Sequence, residues 1–117
     1  MIYIKAVLLV LVNCILLVSG QILWKIGLRD LSFNGLKSII SILFNKYIFS
    51  GLVIYAVATF YWFYILKKYD LTKVYPIQSL SYVLAIIFGY LILNESITKN
   101  SIIGTIIICI GVFIIAK

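Results

Sequence analysis

Histidine is absent from this sequence, and acidic residues are few: three Asp and Glu stand against ten Lys and Arg. The chain therefore lacks the commonest metal ligand and the side chain that most often moves protons near neutral pH. The two cysteines, Cys14 and Cys109, are far apart and lack the spacing of a metal site or a disulfide framework. We expect both to be small buried side chains. We predict no metal, no cofactor and no catalytic group of converging nucleophile and base.

Long polar segments are also missing. Hydrophobic residues make up 65% of the 117 residues, against just under half in a typical soluble domain. They form four apolar runs, at 6–28, 47–66, 75–93 and 101–116. Each run has about 16 to 23 residues, which as a helix spans or nearly spans a hydrocarbon core of about 30 Å. We predict an all-α integral membrane protein with a single domain, 1–117, of four transmembrane helices.

The net charge of +7 comes from cations that flank these runs. Anionic lipid headgroups are therefore the expected partners of the cations. No basic cluster stands clear of the membrane, so nucleic-acid binding is not predicted. The cations divide almost evenly between the two sides of a four-span chain, so the positive-inside rule gives no orientation.

Three polar residues, Asn13, Gln21 and Lys25, interrupt the first apolar run. At about 100° per residue they fall in a stripe about 120° wide, which should face protein or a water-filled cavity. Lys25 lies near the end of the run, where its ammonium can reach the headgroups. Alternatively, Lys25 and Arg29 bind a phosphate at the rim of a cavity. The sequence leaves both alternatives open.

The start of the third run is also polar on one side. Pro76 is expected in the first helical turn, where its missing N–H costs nothing. Around it, Tyr75, Gln78, Ser79 and Tyr82 are spaced three and four residues apart, which places them on one helix face.

Two connections carry further predictions. In the first, residues 36–44 have helical apolar spacing, which predicts either a short interfacial helix or an early start to the second span. In the last, Glu95 lies in the turn before the fourth span. There it is expected to pair with Lys99 or to help cap the next helix.

The fourth run contains two glycines on one helix face, Gly104 and Gly111, seven residues apart. Small residues in register let helices approach closely in lipid. The face therefore serves association with a second chain or a contact within this chain.

Three stretches resemble the small multidrug resistance branch of the drug/metabolite transporter superfamily. They are Ser19-Gly20-Gln21-Ile22-Leu23-Trp24-Lys25, Tyr75-Pro76-Ile77-Gln78-Ser79-Leu80-Ser81 and 103–112. The resemblance implies four spans that work as a dimer, with Gly104 and Gly111 at the dimer interface. Since four short helices cannot enclose a headgroup pathway alone, we expect two inverted halves around one site.

Two departures from that branch narrow the resemblance. Its proton-coupled drug exporters carry a glutamate where this chain has Leu17 and a tryptophan where it has Gln78. The chain is more similar to the lipid-transporting subtype, the flippase that moves undecaprenyl-phosphate-linked aminoarabinose across the bacterial inner membrane. This implies a multi-pass inner-membrane protein with a lipid-linked phosphate as substrate. Its partner would be a second copy, antiparallel or parallel, or a similar four-span protein.

The predicted substrate-binding set joins the residues that match this subtype to the polar residues described above. It consists of Asn13, Gln21, Lys25, Arg29, Tyr75, Gln78, Ser79, Tyr82 and Glu95. Two alternative functions stay open, an exporter of small metabolites or cations and a non-transporting accessory membrane subunit.

Overall fold

The computed structural model describes residues 4–29, 31 and 35–117, and among these residues it contains helices and no strand. The helices are α1 Ile4–Leu28, α2 Leu36–Phe44, α3 Lys46–Lys68, α4 Leu71–Ile77, α5 Leu80–Leu93 and α6 Lys99–Ala116. Four stretches are long and apolar enough to cross a membrane: α1, α3, α4 together with α5, and α6. The predicted four-span, all-α class is confirmed, and the largest difference in bounds is at the start of the third span.

The first connection contains a separate short helix, α2, rather than an early start to the second span. The chain breaks at Asn45, whose side-chain oxygen accepts the backbone N–H groups of Tyr47 (2.9 Å) and Ile48 (3.2 Å). This cap starts α3 afresh. Leu43 and Phe44 on α2 are exposed, which fits a helix that lies in the membrane interface.

The third span is interrupted after its second turn. The helix begins at Leu71, so Pro76 lies in the last turn of α4, and the prediction that it occupies the first turn was wrong. Its missing N–H removes one α-helical hydrogen bond. Bonds of three-residue spacing follow, from Ser79 N–H to Pro76 O (3.1 Å) and from Ser81 N–H to Gln78 O (2.9 Å). Two of the predicted polar residues therefore lie at a break in the span.

Helices α1 and α3 approach closely where Gly20 meets Gly51. A Cβ atom on Gly51 would lie 2.7 Å from the carbonyl oxygen of Gly20 and 2.5 Å from Cδ1 of Trp24. The Trp24 indole lies across Gly51, donates a hydrogen bond from Nε1 to Ile48 O (3.2 Å) and stacks at 5.2 Å from the Tyr55 ring. The absence of two side chains makes this close crossing possible.

All four spans contribute to one buried cluster, and they do so at one end only. The larger buried cluster consists of Ala6, Val10, Cys14, Ile65, Val74, Ile77, Val112 and Ala116. These residues come from the start of α1, from α4 and from the last turns of α3 and α6, and we call this region the tight end. The buried residues of the other cluster are Val18, Ile22 and Leu93, and neither α3 nor α6 contributes to them. At that open end the helices leave a recess between them.

Helix α6 is the least covered span, with 11% of its most apolar window buried. Cys109 is exposed on it while Cys14 is buried, so the expected burial is confirmed for Cys14 and wrong for Cys109. A Cβ atom added at Gly104 or Gly111 would meet no atom within 4 Å. Neither glycine is therefore needed for a close contact among the described residues.

Candidate functional site

A cavity of about 160 Å³ lies between α1 and α5 at the open end, and we call it the Lys25 recess. Its lining residues are Val18, Gln21, Ile22, Lys25, Ala85, Gly89, Leu93 and Glu95. The recess therefore brings together three of the predicted substrate-binding residues. Gln21 and Lys25 come from successive turns of α1, because residues four apart lie on one helix face.

Gln21 and Lys25 continue the inward face of α1 beyond the point where the bundle opens. Val10, Asn13 and Cys14 on that face are buried, whereas Gln21 and Lys25 are exposed. The described residues give the Lys25 ammonium no hydrogen-bond or ion-pair partner. A cation and an amide are thus available to a polar group that enters from the open end.

Glu95 reaches the recess because of the way α5 ends. Asn94 adopts a left-handed conformation (φ 57°), which reverses the chain, and the N–H groups of Asn94 and Glu95 both point to the carbonyl of Gly89. The Glu95 side chain folds back over Gly89, with Oε1 3.3 Å from the position that a Cβ atom would take there. Because Gly89 has no side chain, the carboxylate can lie against the helix and line the cavity.

The turn prediction for Glu95 is confirmed, but among the described residues Glu95 neither pairs with Lys99 nor caps the next helix. Thr98 caps α6, since its Oγ1 accepts the backbone N–H of Ser101 at 3.1 Å. Glu95 therefore does not cap α6, and it lines the recess instead.

A second cavity of about 220 Å³ adjoins the first, and we call it the outer recess. Its lining residues are Ala85, Ile86, Gly89, Tyr90, Glu95, Ser96, Ile97 and Ser101. The two cavities share Ala85, Gly89 and Glu95, so the Glu95 carboxylate stands at their junction. The sequence analysis did not identify Gly89, Tyr90, Ser96 or Ser101. The one available signal was the position of Ser96 in the same polar turn as Glu95.

Arg29 lies at the rim of the Lys25 recess rather than in its lining. Its Nη2 donates a hydrogen bond to the carbonyl oxygen of Leu93 at 3.0 Å, and this bond ties the last turn of α5 to the end of α1. A guanidinium has five N–H donors, and among the described residues Leu93 O is the acceptor found for this one.

Four other predicted residues form a separate group. Tyr75, Gln78, Ser79 and Tyr82 line a cavity of about 190 Å³ at the break in the third span. At 1.5 Å per residue this break is roughly 15 Å along the span from Gly89. The predicted substrate-binding set therefore divides between two places on the chain.

Asn13 connects the second group to the core of the bundle. It is fully buried, its Nδ2 donates to Ala58 O at 2.7 Å, and its Oδ1 accepts from Gln78 Nε2 at 3.1 Å. The Cys14 thiol donates to Gln78 O at 3.5 Å. These bonds join α1, α3 and the third span at the tight end, and they occupy both Asn13 and the Gln78 amide. A substrate-binding role for either side chain stays a prediction.

Comparison with protein families decides the class of this membrane protein. Residues 10–117 match the EamA-like transporter family. The chain belongs to the EamA-like transporter family. This assignment confirms the resemblance to the drug/metabolite transporter superfamily. With its four spans, the EamA-like chain is a multi-pass protein of the bacterial inner membrane and a membrane transporter.

Two relatives share its length and are named probable 4-amino-4-deoxy-L-arabinose-phosphoundecaprenol flippase subunit ArnF. The relative from Serratia proteamaculans (strain 568) is 28% identical over 111 residues, which cover 88% of this chain and 85% of the relative. The relative from Proteus mirabilis (strain HI4320) is 30% identical over 118 residues, which cover 90% of this chain and 86% of the relative.

A third relative is a longer protein. The uncharacterized transporter YoaV of Bacillus subtilis (strain 168) is 34% identical over 77 residues, which cover 66% of this chain but 25% of YoaV. No solved structure matches the chain. These three relatives are thus named as a transporter or as flippase subunits.

Proposed function

We propose that this chain is a subunit of a flippase that moves a polyprenyl-phosphate-linked sugar, or a similar anionic lipid headgroup, across the bacterial inner membrane. The Lys25 recess carries the proposal. Lysine binds phosphate as a point charge, which suits a group that must arrive and leave, and Gln21 on the same face offers hydrogen bonds. The two relatives of similar length, both named as subunits of a lipid flippase, support the same conclusion.

The first span argues against the exchange of protons for cationic drugs. Leu17 occupies the middle of α1, and the described part of α1 contains no Asp or Glu. Glu95, the acid that lines the Lys25 recess, lies beyond the end of α5 instead. A carboxylate at a span end does not carry a proton through the hydrocarbon core, whereas a cation there suits an anionic headgroup that travels with its tail in lipid.

We further propose that the working unit is a dimer. The described chain is only 20 Å thick along its shortest axis, about two helix diameters, so it cannot surround a headgroup on all sides. Helix α6 is largely uncovered, and Gly104 and Gly111 leave space that no described atom fills. Two chains that meet along α6 would place two recesses around one pathway, either as two identical subunits or as this chain with a similar four-span protein.

Reconstitution into liposomes tests the proposal. A fluorescent undecaprenyl-phosphate-linked sugar is added to one leaflet, and its accessibility to a membrane-impermeant quencher is followed with time. We expect the protein to equilibrate the lipid between leaflets much faster than empty liposomes do. Export of a quaternary ammonium compound with matching acidification, and no movement of the lipid, would instead establish a proton-coupled drug exporter. A protein that moves neither and co-purifies with an unrelated membrane complex would be an accessory subunit.

A further inference from the structure

We propose that the outer recess is the sugar subsite, and that Glu95 makes it selective for a sugar that carries a protonated amine. This inference rests on the proposed flippase function and extends it to the headgroup that the recess prefers. Lys25 holds the phosphate in the Lys25 recess, the sugar occupies the adjoining cavity, and Glu95 binds the ammonium where the two cavities meet.

The charges at the recess support an ammonium-bearing cargo. Lys25 and Glu95 line one cavity, yet the described residues give neither side chain an ion-pair partner. A phosphate alone would be attracted by Lys25 and repelled by Glu95, because opposite charges attract and like charges repel. A headgroup with one negative and one positive group satisfies both side chains. The carboxylate is therefore unfavourable for a bare phosphate and favourable for a phosphate joined to an amino sugar.

The geometry places the sugar where Glu95 can reach it. A sugar bonded directly to the phosphate must lie next to Lys25, and the outer recess is the adjoining space that shares Gly89 and Glu95 with the Lys25 recess. Its lining includes Tyr90 and Ser96, two residues whose hydroxyl groups can donate to or accept from sugar hydroxyls.

Gly89 is the positioning residue of this subsite. Its carbonyl accepts the Glu95 N–H at 3.1 Å. Because it has no side chain, the Glu95 Oε1 can lie 3.3 Å from the position that a Cβ atom would take there. An alanine here would keep the charge of Glu95 but push its carboxylate outward by a few tenths of an ångström. Position and charge can therefore be varied separately.

The test compares two lipids that differ in one group. One is undecaprenyl phosphate carrying 4-amino-4-deoxy-L-arabinose, and the other carries L-arabinose, in which a hydroxyl replaces the amine. In the same liposome assay we expect the parent protein to move the amino lipid about tenfold to a hundredfold more efficiently, the range expected for a hydrogen bond to a charged group. We expect Glu95→Gln to bring the ratio close to one by slowing the amino lipid alone.

Two further variants complete the test. Asp70→Asn removes an exposed carboxylate at the start of α4 that makes no side-chain cap hydrogen bond, and it should keep the full preference. Gly89→Ala should lower the preference while Glu95 stays charged, and it carries the test if Glu95→Gln does not fold.

The possible results separate the two proposals. Equal rates for both lipids in the parent protein, or a preference that Glu95→Gln retains, would reject the sugar subsite and leave the flippase intact. Movement of neither lipid by the parent protein would reject both.

Discussion

The side-chain amide of Gln78 donates a hydrogen bond to Oδ1 of Asn13, 65 residues earlier in the chain. Asn13 in turn donates to the carbonyl of Ala58, so one buried asparagine links three spans. Lipid offers no hydrogen bonds, so polar side chains within a span must find partners in protein. The contact accounts for two polar residues of the apolar runs without any ligand.

A double-mutant cycle on Asn13→Ala and Gln78→Ala measures this contact. Interhelical hydrogen bonds in membranes contribute about 0.6 kcal/mol on average and up to about 1.7 kcal/mol, so we expect a coupling energy in that range. The measurement is the free energy of unfolding in detergent for the parent, the two single variants and the double variant. A coupling of zero, with transport impaired in both single variants, would show instead that the two side chains bind substrate.

Replacement of Lys25 tests whether its ammonium captures phosphate or only extends to the headgroups. We expect Lys25→Ala to slow lipid movement by about tenfold to a hundredfold, because a hydrogen bond to a charged group is lost. The dimer should remain, since Lys25 is exposed and supports no described contact. Lys46→Ala is the control, because Lys46 is also a span-end cation but lies over the Tyr47 ring rather than in the recess. Equal rates for Lys25→Ala and the parent would leave Lys25 without a transport role.

The crossing of α1 and α3 is expected to be sensitive to one methyl group. Gly51→Ala places Cβ 2.5 Å from Trp24 and 2.7 Å from the Gly20 carbonyl, so the helices must separate. Overpacking costs about 1–3 kcal/mol, and the better helix propensity of alanine returns about 1 kcal/mol. We expect a net loss of about 1 kcal/mol in the free energy of unfolding in detergent. An unchanged free energy would mean that Trp24 and the two helices move apart without loss.

The open face of α6 makes the opposite prediction. Alanine at Gly104 and Gly111 meets no described atom and favours a helix by about 1 kcal/mol per residue, so the double variant should be at least as stable as the parent when it is monomeric. If a second chain packs there, association should weaken by roughly tenfold, which corresponds to about 1.4 kcal/mol. Energy transfer between two labelled populations in liposomes reports the association. An unaltered dimer would place the interface on another face.

Much of the architecture could be predicted because hydrophobic runs of this length have few alternatives in a membrane. The spacing of Gln21 and Lys25 also sufficed to place them on one face, and the structure finds both at one cavity. The position of Pro76 in the helix was predicted wrongly because the helix begins at Leu71. Its first turn contains the polar residues Thr72 and Lys73, which precede the predicted apolar run. A helix start at polar residues is not visible in a pattern of hydrophobicity.

The position of Glu95 could not be predicted from local sequence. It depends on the left-handed turn at Asn94 and on the empty side-chain position at Gly89, which become neighbours only after the chain reverses. Likewise, Asn13 and Gln21 lie on one stripe of α1, so their spacing gives no difference between them. In the structure Asn13 is buried and Gln21 is exposed. The difference arises because the bundle closes at one end and opens at the other.

The break in the third span affects how α4 can move at the tight end. Hydrogen bonds of three-residue spacing interrupt the helix at Gln78 and Ser79. The seven residues of α4 can therefore tilt relative to α5 about these two residues. Such a tilt would withdraw Val74 and Ile77 from the buried cluster, while Gln78, which lies at the pivot, would stay next to Asn13. It would leave α5 in place, and with it Gly89 in the lining of the Lys25 recess.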